Sequence, residues 1–84
     1  MKCHAGIDIG AVSATAAVIA DTDLGDSMGP LRRVGPAASG GWVYLAAYRR
    51  TRGRPIAAAT ALLEEIVEAT GREAVRGLRL TGSG

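Results

Sequence analysis

The run Gly6-Ile7-Asp8-Ile9-Gly10, followed at once by Ala11-Val12-Ser13-Ala14-Thr15, constrains this chain more than any other feature. Side chains alternate along a strand, so Ile7 and Ile9 share one face and Asp8 takes the other. A carboxylate set in an apolar strand is costly unless something pairs with it. A hydrated magnesium ion carrying a nucleotide phosphate is a suitable partner. Gly10 is then read as the tight turn that lets the backbone approach that phosphate. The plainer reading is an ordinary hairpin in which Asp8 caps the turn.

Composition narrows the classes. With 84 residues the chain makes one small domain, and 48% hydrophobic content predicts a folded core. A net charge of +2 is too small for a dedicated nucleic-acid binder. The single cysteine, Cys3, excludes an intrachain disulfide. Cys3 and His4 are neighbours on a strand and point apart, so they make a poor joint metal site. Asp8 and Gly10 interrupt the first apolar stretch, which argues against a secretory signal. Ala11 to Ala20 is too short to span a bilayer. The expectation is a soluble cytoplasmic protein with neither a membrane nor a nucleic-acid partner.

Periodicity and turn residues place the elements. Ala5 to Ile9 reads as a strand, and Ser13 to Ala20 as a second, joined by a turn at Gly10 to Val12. Residues 21–41 hold five glycines and two prolines. They are read as a loop, with a possible short strand at Leu31 to Val34. Trp42 to Tyr48 is apolar throughout and predicts a strand covered on both faces. Arg49 to Arg54 is a basic connector, and Pro55 suits the first position of a helix. Ile56, Ala59, Leu62, Leu63, Ile66, Val67 and Thr70 recur at helical spacing, with Thr60, Glu64, Glu65 and Glu68 on the wet side. Gly71 suits the helix stop. Val75 to Leu80 predicts a fourth strand, and Thr81-Gly82-Ser83-Gly84 a glycine-rich turn. One helix covers only one face of such a sheet, so the pattern describes an incomplete domain or one that docks on a partner.

Chemistry concentrates at the first hairpin. Backbone amides of Gly10, Ala11, Val12 and Ala14 and the hydroxyls of Ser13 and Thr15 can face phosphate oxygens. Asp8 can hold magnesium through water or orient an attacking water. The arginines at 49, 50, 52 and 54 suit phosphate, coenzyme A or an acidic surface, or serve as a solvated connector.

The hairpin resembles the first phosphate loop of the superfamily of actin, sugar kinases and heat-shock chaperones. The strand, strand, strand, helix, strand order is similar to the first half of its ribonuclease H-like α/β domain. GIDIGAVSATAAVIAD, YRRTRGRP leading into IAAATALLEE, and LRLTGSG together resemble one branch. That branch is the ATP-dependent activators of 2-hydroxyacyl-CoA dehydratases and benzoyl-CoA reductases. The resemblance implies the N-terminal part, residues 1–84, of an electron-transferring iron-sulfur ATPase. It implies ATP and magnesium as cofactors, Asp8 as the catalytic and magnesium-organising carboxylate, and Gly10 through Thr15 as the phosphate loop. It further implies a homodimer that shares a 4Fe-4S cluster and serves a dehydratase or reductase component. Three departures stand out. Ala11 replaces a usual Ser or Thr, Thr15 replaces a usual Lys, and the usual arginine after TGSG is not among the 84 residues. The second phosphate loop, adenosine site and cluster cysteines would lie downstream, so these residues alone are expected to be inactive as an ATPase. Two other readings are a sugar-kinase N-terminal lobe, which usually carries a Gly-Thr pair where Ala11-Val12 stands, and a non-catalytic interaction module.

Overall fold

The computed structural model describes residues 1–46 and 48–83. It is a mixed α/β domain with one helix packed on one face of a seven-stranded sheet. The strands are β1 (Cys3–Gly10), β2 (Ser13–Ala20), β3 (Ser27–Met28), β4 (Leu31–Pro36), β5 (Trp42–Ala46), β6 (Arg49–Arg50) and β7 (Val75–Ser83). The helix α1 (Pro55–Thr70) precedes a 3-10 turn at Arg72–Ala74. Sheet order is β3-β4-β5-β2-β1-β7, with β6 paired to the Ser13 end of β2. β7 runs parallel to β1, and the other neighbours are antiparallel.

The alternation read from the sequence sets the faces. Cys3, Ala5 and Ile7 of β1, with Ala14, Ala16, Val18 and Ala20 of β2, are buried beneath α1. Ala58, Leu62 and Ile66, one turn apart, press on this floor. The floor is largely alanine, so the larger helix side chains and Tyr44 fill the volume. Pro55 opens the helix as expected, and Gly71 closes it at φ 93°, donating its N–H to the Val67 carbonyl at 2.7 Å.

Several expectations are corrected. β1 begins at Cys3 and includes Gly10, so the turn is Ala11-Val12 alone. Gly10 does not adopt a positive φ; a side chain there would sit 3.1 Å from the Ser13 carbonyl. Within residues 21–41 the possible strand at Leu31 to Val34 is present as the longer β4, and with β3 it forms a hairpin that adds to β5, so the segment is not simply a loop. Of the expected Trp42–Tyr48 strand, Trp42–Ala46 is strand, Tyr48 is exposed outside it, and Ala47 lies outside the described residues. Its two faces are not both covered: Tyr44 is buried while Leu45 is 43% exposed. Ile56, expected in the core, is 76% exposed, and Ala58 takes the buried position. Glu65 is ion-paired with Arg49 rather than merely solvated. Thr81 to Ser83 are not a turn but the end of β7, in register with Asp8, Ile9 and Gly10; Gly84 lies outside the described residues.

Local anchors hold the remaining segments. The buried Tyr44 hydroxyl accepts from the Leu24 N–H and donates to the Gly25 carbonyl, both at 2.9 Å. Arg33 pairs with Asp23 and Asp26 and lies 5.1 Å from the Trp42 ring centre. Burial raises the Cys3 thiol above its ordinary value. The Lys2 N–H, then the Thr22 hydroxyl, hold the Asp21 carboxyl below its usual range. The Gly25 N–H chiefly, with Arg33, does the same for Asp23. A lowered folded-state pKa adds stability above the unfolded value and loses it as pH falls through the folded one. The stability gap between the native chain and Asp21→Ala or Asp23→Ala is therefore expected to narrow as pH drops below 3.8. Thermal melts from pH 7 to pH 2 check this; a gap constant with pH would contradict it.

Candidate functional site

The face opposite α1 is open, and there the strand register builds a row across three strands. Asp8 of β1 sits between Thr15 of β2 and Thr81 of β7. Directly opposed residues project to the same face, so one carboxylate and two hydroxyls converge. The Thr81 Oγ1 donates to Asp8 Oδ1 at 3.1 Å. The next row holds Gly6, Ala17 and Arg79, with Leu45 beyond Ala17. Together they line a cleft of about 400 Å³. Small residues form its floor, Leu45 one wall, and the polar groups the other side.

Asp8 is thus exposed on the open face rather than sunk in the core, and its first partner is a threonine hydroxyl. Thr15 joins it as the sequence expects. The other loop residues divide. Ala14 turns its side chain into the core, fully buried, so only its backbone is available to a ligand. Ser13 is half-buried at the start of β2, and Gly10 belongs to β1. Ala11 and Val12 form the tip, with Val12 73% exposed. The expected six-residue phosphate loop therefore reduces to a two-residue tip flanked by strand.

That tip is fastened from behind by a residue sequence reasoning missed. Thr51, 3% exposed, donates its N–H to the Val12 carbonyl and its Oγ1 to the Ala11 carbonyl, both at 2.9 Å. The tip's carbonyls are held by protein, which leaves the outer side of the turn to a ligand. The only sequence signal was a lone threonine within a basic run. Arg79 was also missed, because nothing local places it beside Asp8. His4 projects to the open face over Gly77, where a methyl group would meet its ring at 2.8 Å, while Cys3 lies buried on the other face. The expected separation of the pair is borne out.

Magnesium keeps several waters and takes one or two carboxylates, so a single exposed Asp8 beside two hydroxyls suits it. Among the described residues no three His, Cys, Asp or Glu side chains cluster as an all-protein cage. The chain does not fit a 4Fe-4S cluster: its one cysteine is buried under α1. No helix among the described residues is long and apolar enough to cross a membrane. No family model, curated protein or solved structure matches the chain.

Proposed function

We propose that this domain carries the metal-and-phosphate half of a nucleotide site, in a ribonuclease H-like arrangement of the activase type. The observation that carries the reading is the row Asp8, Thr15 and Thr81 beside the hairpin tip. The central order β5-β2-β1-β7, three antiparallel strands and a parallel one reached through a helix, supports the fold reading. Asp8 would hold magnesium through water, and magnesium would supply charge neutralisation for a nucleotide's phosphates. Thr81 fixes one carboxylate oxygen of Asp8, leaving the other directed to the ligand. Thr15 supplies a hydroxyl donor, and the Ala11-Val12 tip supplies backbone amides. In this reading Asp8 orients and binds the metal-phosphate group.

Calorimetric titration with ATP tests the reading. Binding is expected to strengthen with magnesium, and Asp8→Asn is expected to lose that gain, about tenfold or more in affinity. ATP binding that ignores both magnesium and Asp8 would defeat it. A second reading, an interaction module, is favoured by Ile19 and Leu45 standing 40% and 43% exposed on the same face. A partner complex indifferent to ATP and magnesium would favour that reading instead.

A further inference from the structure

We propose that Arg50, Arg52 and Arg54 form a phosphate-chain clamp beside the hairpin tip. The proposal rests on the nucleotide reading for the ligand's identity but not for the anion site itself. Four arginines lie in six residues, yet only Arg49 has a carboxylate partner, Glu65, among the described residues. Arg50, Arg52 and Arg54 are exposed around a concavity of about 450 Å³ that they line with Ala57 and Ala61.

The charge arrangement favours an anion. Three like charges gather beside the positive end of α1, whose first turn holds no acid and whose Arg54 cap makes no side-chain bond. Arg52 also holds a left-handed φ of 51°, the one non-glycine residue to do so among the described residues. The turn is closed by the Arg54 N–H on the Thr51 carbonyl at 2.8 Å. Thr51 in turn locks the cluster to Ala11 and Val12. Arg50 pairs in register with Ser13, the first residue after that tip. Guanidinium groups around one concavity can fork onto the oxygens of a polyphosphate. Repulsion in the free protein and attraction in the bound one are what an anion site requires.

Metal-free titration with inorganic tripolyphosphate, ATP and adenosine tests the clamp. Tripolyphosphate and ATP are expected to bind alike and adenosine not to compete. The triple variant R50Q/R52Q/R54Q is expected to lose at least tenfold in affinity, while Arg72→Gln, at the far end of α1, keeps the native value. Ligand-free, the triple variant is expected to melt no lower than the native chain, which separates lost binding from lost folding. Equal tripolyphosphate binding by native and triple variant, or none by the native chain, overturns the clamp. If tripolyphosphate binds through the arginines while magnesium and Asp8→Asn change nothing, the clamp stands and the nucleotide reading falls.

Discussion

Gly41→Ala is expected to destabilise the domain by about 3 kcal/mol or more. Gly41 holds φ +88°, and a methyl group there would lie 2.4 Å from the Ala20 carbonyl oxygen and 3.3 Å from its carbon. Left-handed backbone costs a side chain roughly 1–2 kcal/mol. The clash adds more because the obstacle is backbone. Ala20 ends the central strand β2, is fully buried, and is paired with both Cys3 and Trp42. Nor can Gly41 easily retreat, since its carbonyl accepts the Ala37 N–H at 2.9 Å. Gly25→Ala is the internal control: its φ is +93°, but no atom lies within 4 Å of the added carbon. It is expected to cost only about 1 kcal/mol. Urea denaturation followed by circular dichroism reads both, and equal losses would mean that the close approach to Ala20 is not real.

The second large loss is expected at Leu62→Ala, about 3–4 kcal/mol. Leu62 is fully buried between Ala58 and Ile66 on the inner face of α1. Beneath it lie mainly alanines of β1 and β2, and alanine has no rotamer with which to fill a void. The site cannot collapse, so the cavity penalty adds to the lost transfer energy. Domains of this size fold with only about 5–15 kcal/mol in hand. Leu62→Ala should therefore lower the urea midpoint strongly, whereas Ile56→Ala, on an exposed side chain, should cost about 0.5 kcal/mol or less. Matching losses at Leu62 and Ile56 would reverse the assignment of the helix's buried face. An early melt of Leu62→Ala would also reveal how little of the stability comes from the open sheet face.

Local pattern carried the two periodic regions far. The alternation of Ile7, Asp8 and Ile9 placed Asp8 on the face away from the isoleucines, and β2 has the bounds the sequence predicts. Pro55 and Gly71 bound α1 because each has a backbone preference that acts within its own turn. The helix face holds at Leu62 and Ile66, which are fully buried, and at Ala59 and Leu63, which pack against the core; Ile56 matches the periodicity but lies on the first turn, beyond the sheet's cover. Thr81-Gly82-Ser83 looked like a turn because glycine marks turns, yet pairing with Asp8, Ile9 and Gly10 makes it strand. A ladder partner seventy residues away leaves no trace in local composition. β3 escaped for the same reason, while β4 was legible only as a possible short strand at Leu31 to Val34, its full length to Pro36 depending on the edge that β5 offers.

The candidate site divides along the same line. Asp8 and Thr15 were legible because they sit seven residues apart on one hairpin, where the turn itself sets the register. Thr81, Arg79 and Thr51 were not, since each reaches the site through chain reversal elsewhere. By itself the sequence determined which residues alternate, where the helix starts and stops, and that a carboxylate would face away from the isoleucines. Only the tertiary structure decided that this carboxylate accepts from the Thr81 hydroxyl and that a buried threonine ties an arginine turn to the hairpin tip. Alternation and capping are short-range backbone preferences, whereas these contacts depend on which distant strands pair and in what register.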